Sequence, residues 1–127
     1  LGDVYKRQDS EVDKMKSDIR YCKSIGVEEV VLGALNEDGE VDNRLTQRLA
    51  KLAIPMKVTF HKAIDAVNNF MSSLKTLSTM ENIDSVLTSG TKENALSGKE
   101  YIKLASKEFS GLLNIIAAGS ITNQNLK

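Results

Sequence analysis

The sequence predicts an α/β protein built from about four consecutive parallel βα units. Short apolar runs centred on Val30, Val58, Val86 and Ile115 recur about every 28 residues. Between them, apolar residues return every three to four positions, the period of an amphipathic helix. Each interval is long enough for a helix and two loops, the crossover that a parallel pair of strands requires.

The segment from Leu1 to Gln8 has neither the apolar core of a signal peptide nor a helical period. It is set aside as a non-native, adaptor-like stretch, and the folded domain is expected over residues 9–127. Ser10 and Asp13 form a capping-box-like start, with Asp in place of the preferred Glu. Val12, Met15, Ile19 and Cys22 then mark an apolar helix face that Gly26 ends. Glu29 to Leu35 is nearly continuous apolar sequence, which suits a parallel strand covered on both faces. Asn36-Glu37-Asp38-Gly39 is a turn, and Asp42 caps a second helix with Leu45, Leu49 and Leu52 as its buried stripe. Pro55 stops that helix, because it has no N–H to donate and its ring clashes with the preceding turn. The second strand is expected from Met56 to His61. A third helix carries Val67, Phe70, Met71, Leu74 and Leu77, and a third strand runs from Ile83 to Thr88. The fourth helix spans Ser97 to Phe109, with Tyr101, Ile102 and Ala105 on its apolar side, and the fourth strand spans Leu113 to Ala118.

The chain has 127 residues and a mass of 13.9 kDa, enough for one ordinary domain but for only about half of a (β/α)₈ barrel. Seventeen Lys and Arg balance seventeen Asp and Glu, so there is no basic footprint for nucleic acid or an anionic membrane. Hydrophobic residues at 41% and charged residues at 27% are a globular composition. The longest apolar run falls well short of the roughly 18 residues of a membrane helix. Cys22 is the single cysteine, so no internal disulfide forms and a reducing, cytoplasmic setting is expected. The chain opens on Leu1 rather than Met, and it ends just as a new helical start, Thr122-Asn123-Gln124-Asn125, begins. A fragment of a longer protein is the expectation.

Parallel α/β folds gather ligands at the carboxyl ends of their strands, so the residues there are the candidates for chemistry. The second strand ends in Thr59, His61 and Lys62, with Asp65 in the following turn. His61, the only histidine, can serve as acid, base or ligand. A turn that folds back would let Asp65 hold its tautomer. Against this stands a half-buried histidine satisfied by a backbone carbonyl. Lys62 offers charge to an anionic ligand, or is an ordinary solvated lysine. Thr88-Ser89-Gly90 and Ala118-Gly119-Ser120 leave backbone amides open ahead of a helix, as phosphate and carboxylate sites do; tight βα turns need small residues for steric reasons alone. Cys22 lies on a packed helix face, and the acidic group of Glu37, Asp38, Glu40 and Asp42 lacks EF-hand spacing.

The segments from Val31 to Asp42, from Val58 to Asp65 (Val-Thr-Phe-His-Lys-Ala-Ile-Asp) and from Val86 to Gly90 resemble, in order, the successive motifs of the CutC family of copper homeostasis proteins. The resemblance covers nearly all of residues 9–127. It implies a partial TIM (β/α)₈ barrel, a cytoplasmic location and a role in copper handling. At the second motif Thr59, His61 and Asp65 match the family pattern, while Lys62 replaces arginine and Ile64 replaces phenylalanine. Lysine keeps the charge and loses the planar fork. At the fourth strand Ala117-Ala118-Gly119-Ser120 keeps one glycine of a glycine-rich motif. The family's proposed copper cysteines lie upstream of this chain, so the metal ligands stay unknown and copper as a cofactor rests on the resemblance alone. Half a barrel also has two open edges, which invite misfolding or pairing with another chain.

Two functions follow as expectations. One is a cytoplasmic copper ion binder, for which soft sulfur ligands are scarce: Met15, Met56, Met71, Met80 and Cys22 form no cluster in sequence. The other is a barrel enzyme acting on a small anionic or phosphorylated metabolite. There His61 is the acid/base, Asp65 its orienter and Lys62 the anion partner, while Thr59, Thr88, Ser89, Gly90 and Gly119 bind the ligand. The expected partner is a small-molecule or metal ligand, with no nucleic acid and no membrane; a homo-oligomer is left open for a full-length parent. A complete flavodoxin-like domain of four strands is the architectural alternative.

Overall fold

A computed structural model describes residues 2–92 and 97–118 of the chain. Gly119 and the helical start at residues 122–125 lie outside the described residues. The chain alternates α1 (Gly2–Ser24), β1 (Glu29–Leu32), α2 (Asn43–Ala53), β2 (Lys57–Phe60), a 3-10 turn (Lys62–Ala66), α3 (Phe70–Ser78), β3 (Ile83–Thr88), α4 (Lys99–Glu108) and β4 (Asn114–Ala117). The four strands form one sheet in chain order, and every neighbouring pair is parallel. The register pairs Val30 with Val58 and Val86 with Ile115, as the strand centres expected from sequence require. Right-handed crossovers in a sheet of this order all return on one side, whereas a doubly wound fold needs a reversal of strand order. The flavodoxin-like alternative is therefore excluded.

All four helices pack into a single core against that side. Val58, Phe60 and Val86 of the sheet are fully buried there with Leu49, Leu74 and Leu77, and Ile19 and Ala105 extend the same cluster to both flanks. The other face of the sheet is left open. Val31 is 58% exposed and Ile116 43% exposed on it, which corrects the expectation of a first strand covered on both sides. The apolar run belongs to the concave side of a four-strand arc, where a strand shows alternate residues and no second layer lies over them among the described residues.

Other departures have local causes. Helix α1 does not start at Ser10 but runs continuously from Gly2. A capping signal only weakly disfavours continuation through serine, and propagation adds a hydrogen bond per residue. Strand β1 stops at Leu32 rather than Leu35 because the chain folds back on itself. Leu35 bridges Val41, the Asn36 amide donates to the Glu40 carbonyl at 2.7 Å, and the Asp42 amide donates to Ala34 at 2.8 Å. Asp42 caps α2 as expected, accepting from the Leu45 amide at 3.0 Å. The buried stripe of α2 is Thr46, Leu49, Ala50 and Ala53, with Leu45 and Leu52 only partly covered; small residues let the helix sit close to the sheet. Val67 ends the 3-10 turn instead of opening α3, which begins at Phe70 behind an Asn69 cap on the Ser72 amide. On α4, Ala105 is fully buried, while Tyr101 stays 43% exposed with its ring edge against Phe70 at 5.9 Å.

Candidate functional site

The carboxyl ends of β2 and β3 carry most of the expected site residues, and the fold divides them into two separate groups. Strand alternation puts Lys57, Thr59 and His61 on the concave face, because Val58 and Phe60 are buried on the helical side. Thr59, half-buried, sits one row below His61. The His61 amide continues the ladder by donating to the Leu32 carbonyl at 3.0 Å, so His61 lies beside Gly33. A Cβ on Gly33 would fall 2.7 Å from Cε1, 2.9 Å from Nδ1 and 3.0 Å from Nε2 of His61. Near-equal distances to three ring atoms mean that the imidazole lies flat over the Gly33 backbone, in space that any side chain would fill.

The orientation of that ring is set by the turn after it. His61 Nδ1 accepts from the Ala63 amide at 3.1 Å and so caps the 3-10 turn. Asp65 therefore does not hold the tautomer, contrary to the sequence expectation. Burial pushes the His61 imidazole below its ordinary value of 6.5, against a weaker upward pull from the backbone of His61 itself and of Gly33. Lys62 follows on the exposed rim.

Asp65 instead faces the end of β3. Its Oδ1 accepts from the Thr88 hydroxyl and, at 3.0 Å, from the Thr91 amide; its Oδ2 accepts from the Ser89 amide at 2.9 Å. The Ser89 hydroxyl lies 2.9 Å from Oδ2 and 2.6 Å from the Lys92 carbonyl, and its one hydrogen serves one of them at a time. The Gly90 amide donates to Thr88 Oγ1 at 2.9 Å. The Thr88 hydroxyl and the Ser89 amide and hydroxyl, expected to receive an external anion, thus already face an internal one. Thr88 and Ser89 are buried and satisfied by it, which assigns Thr88, Ser89 and Gly90 a positioning role here.

This arrangement makes demands on the backbone that sequence patterns do not reveal. Gly90 (φ 69°) and Thr91 (φ 67°) both adopt left-handed geometry, unusual for a β-branched threonine. The Asp65 bond to the Thr91 amide helps to hold it there. A Cβ on Gly98 would lie 1.8 Å from the Ser89 carbonyl oxygen, so the start of α4 meets the end of β3 backbone to backbone. The Ala63 amide and Thr91 are the groups that reading the sequence missed. Gly33 is legible as the carboxyl end of the first strand, but its place beside the His61 ring is set by the register of the neighbouring strand.

Two of the four acidic residues of the first βα loop, Glu40 and Asp42, are structural. Glu40 Oε1 accepts from the Asn68 amide at 3.1 Å, and Asp42 is spent as a cap. Beside the free edge of β1 a groove of about 500 Å³ counts Met15, Cys22 and His61 among the residues that line it. Among the described residues no three His, Cys, Asp or Glu side chains converge as a metal site would need. Nor is any described helix long and apolar enough to cross a membrane.

Comparison with known proteins agrees with this architecture. The model of the CutC family matches residues 2–127. The copper homeostasis protein cutC homologs of mouse and human are 40% and 39% identical over 126 residues, which are 99% of this chain and 46% of each relative. The chain thus spans about half the length of the curated relatives it matches. A solved copper homeostasis protein CutC from Streptococcus agalactiae superposes with a TM-score of 0.83 at 21% identity, over 93% of this chain and 58% of that one. Four parallel βα units on that scaffold make the fold a partial (β/α)₈ barrel.

Proposed function

The chain belongs to the CutC family, and from the geometry of its concave face we propose that it forms part of a cytoplasmic barrel site for a small anionic or phosphorylated metabolite, with His61 as the group that meets the ligand. The observation that carries this reading is the seat of His61. A half-buried imidazole lies at the carboxyl end of a barrel strand, flat on a glycine, with its neutral form favoured by burial. Such placement is where barrel enzymes bind and transform ligands. Thr59 below it supplies a hydroxyl on the same face, and Lys62 on the rim supplies positive charge. The zero net charge and the single free thiol of Cys22 support a soluble ligand in a reducing compartment.

Copper handling is the second reading, favoured by the names of the mouse and human relatives and by the groove that Met15, Cys22 and His61 share. The donor set fits copper poorly. A neutral imidazole that ligates through Nε2 must carry its proton on Nδ1, and here Nδ1 is accepting from Ala63. One thioether and one thiol then remain as soft donors.

Calorimetry on the full-length parent with a panel of phosphorylated and carboxylated metabolites tests the first reading. A ligand should be found whose affinity or turnover falls in His61→Ala with little change in melting temperature; losing one positioned donor to a substrate oxygen typically costs about 10²–10³ in rate. Tight one-to-one Cu(I) binding, abolished by Cys22→Ala in competition with a chromophoric chelator, would sink it in favour of copper.

A further inference from the structure

We infer that Gly33 and the Ala63 amide together lock His61 as the neutral tautomer with its proton on Nε2, so that the ring meets its ligand as a hydrogen-bond donor to oxygen. The ligand class rests on the proposed barrel site; the tautomer does not. Nδ1 can accept from the Ala63 amide, 3.1 Å away, only through its lone pair. In a neutral ring the proton then belongs to Nε2. Gly33 makes room for the ring, which occupies the space above its Cα with three ring atoms within 3.0 Å of where a Cβ would be; the flipped ring would turn carbon Cδ2, which cannot accept, toward the Ala63 amide. The His61 main chain is pinned as well, through its amide bond to Leu32.

Three consequences separate this state from the other uses of a histidine. As a base, the ring would need a free lone pair on Nε2 and a proton on Nδ1, which breaks the cap on the turn. As a metal ligand through Nε2 it would need the same exchange. As an N–H donor it needs no change, and a carbonyl, carboxylate or phosphate oxygen is the matching partner. A neutral imidazole that polarises a substrate oxygen is an established catalytic arrangement in barrel enzymes. Gly33 is by this argument a positioning residue: it touches no ligand and acts through the ring it seats.

Nitrogen-15 NMR of the labelled 127-residue chain near pH 7.5 reads the tautomer directly from the two ring nitrogens. The expected spectrum has the proton on Nε2; a proton on Nδ1 overturns the inference. Thermal melts of Gly33→Ala, His61→Ala and the double variant provide a second measurement. If the ring occupies the glycine's space, Gly33→Ala lowers the melting temperature and adding His61→Ala recovers most of the loss, whereas additive losses refute the seat. Cu(I), added anaerobically to the same labelled sample, should leave the Nε2 proton in place, and its disappearance would count decisively against the lock. Inorganic phosphate and acetate are the oxygen probes. If they move no His61 signal while the tautomer and the melts behave as expected, the ligand-site reading falls and the lock stands.

Discussion

Replacing Asp65 should unfasten the end of β3 while leaving His61 as it is. In Asp65→Ala the Ser89 hydroxyl keeps a partner in the Lys92 carbonyl at 2.6 Å, and Thr88 Oγ1 still accepts from Gly90. Three donors lose theirs: the Thr88 hydroxyl and the amides of Ser89 and Thr91. An orphaned buried donor costs about 1–3 kcal/mol. Asp65 is only half-buried, so water reaches part of the gap, and the expected loss is about 3–5 kcal/mol against a typical total of about 5–15 kcal/mol. Asp65→Asn is the sharper variant. It keeps the shape but turns an NH₂ toward one pair of donors, so it should lose nearly as much as alanine. Urea unfolding followed by circular dichroism measures both, and hydrogen exchange at Ser89 and Thr91 localises the change. If both variants stay within about 0.5 kcal/mol of the parent, a value typical of surface sites, the internal-anion account is wrong. A change in the His61 ring signals of Asp65→Asn would equally refute the separation of the two groups.

The buried hydroxyl of Thr46 has no hydrogen-bond partner among the described residues, so the isosteric Thr46→Val should raise stability by up to about 1 kcal/mol in the same urea assay, and a clear loss would reveal a partner. Stability should also depend on pH through His61, whose folded-state value is depressed by burial. Above 6.5 both folded and unfolded chains hold it neutral; as pH falls through 6.5 the unfolded chain takes up the proton first, and stability drops until the folded value is passed. Urea midpoints from pH 7.5 to 5 should show this slope shrinking in His61→Gln, and an unchanged slope would contradict it.

Short apolar runs about 28 residues apart and the three-to-four-residue apolar repeats between them placed four strands and four helices in order, because burial against one sheet leaves those patterns in the sequence. Val30, Val58, Val86 and Ile115 are strand centres in the structure as in the pattern. Asp42 was legible as a cap because its bond is local, three residues long. The carboxyl-end rule likewise singled out Thr59, His61, Lys62, Asp65 and Thr88-Ser89-Gly90 before any coordinates. What sequence could not decide was which of these meet. His61 and Asp65, four residues apart, look like a pair; a 3-10 turn between them sends one to Gly33, 28 positions upstream, and the other to Thr88, 23 positions downstream. The partner of a side chain at a strand end depends on register and on the path of the next turn, and neither leaves a local trace in residue types. Nor could it show that Gly33 makes room for a ring, that the amides after β3 are filled by the protein's own carboxylate, or that Val31 faces an open concave side. Those are properties of strands brought side by side, and only the tertiary structure determines them.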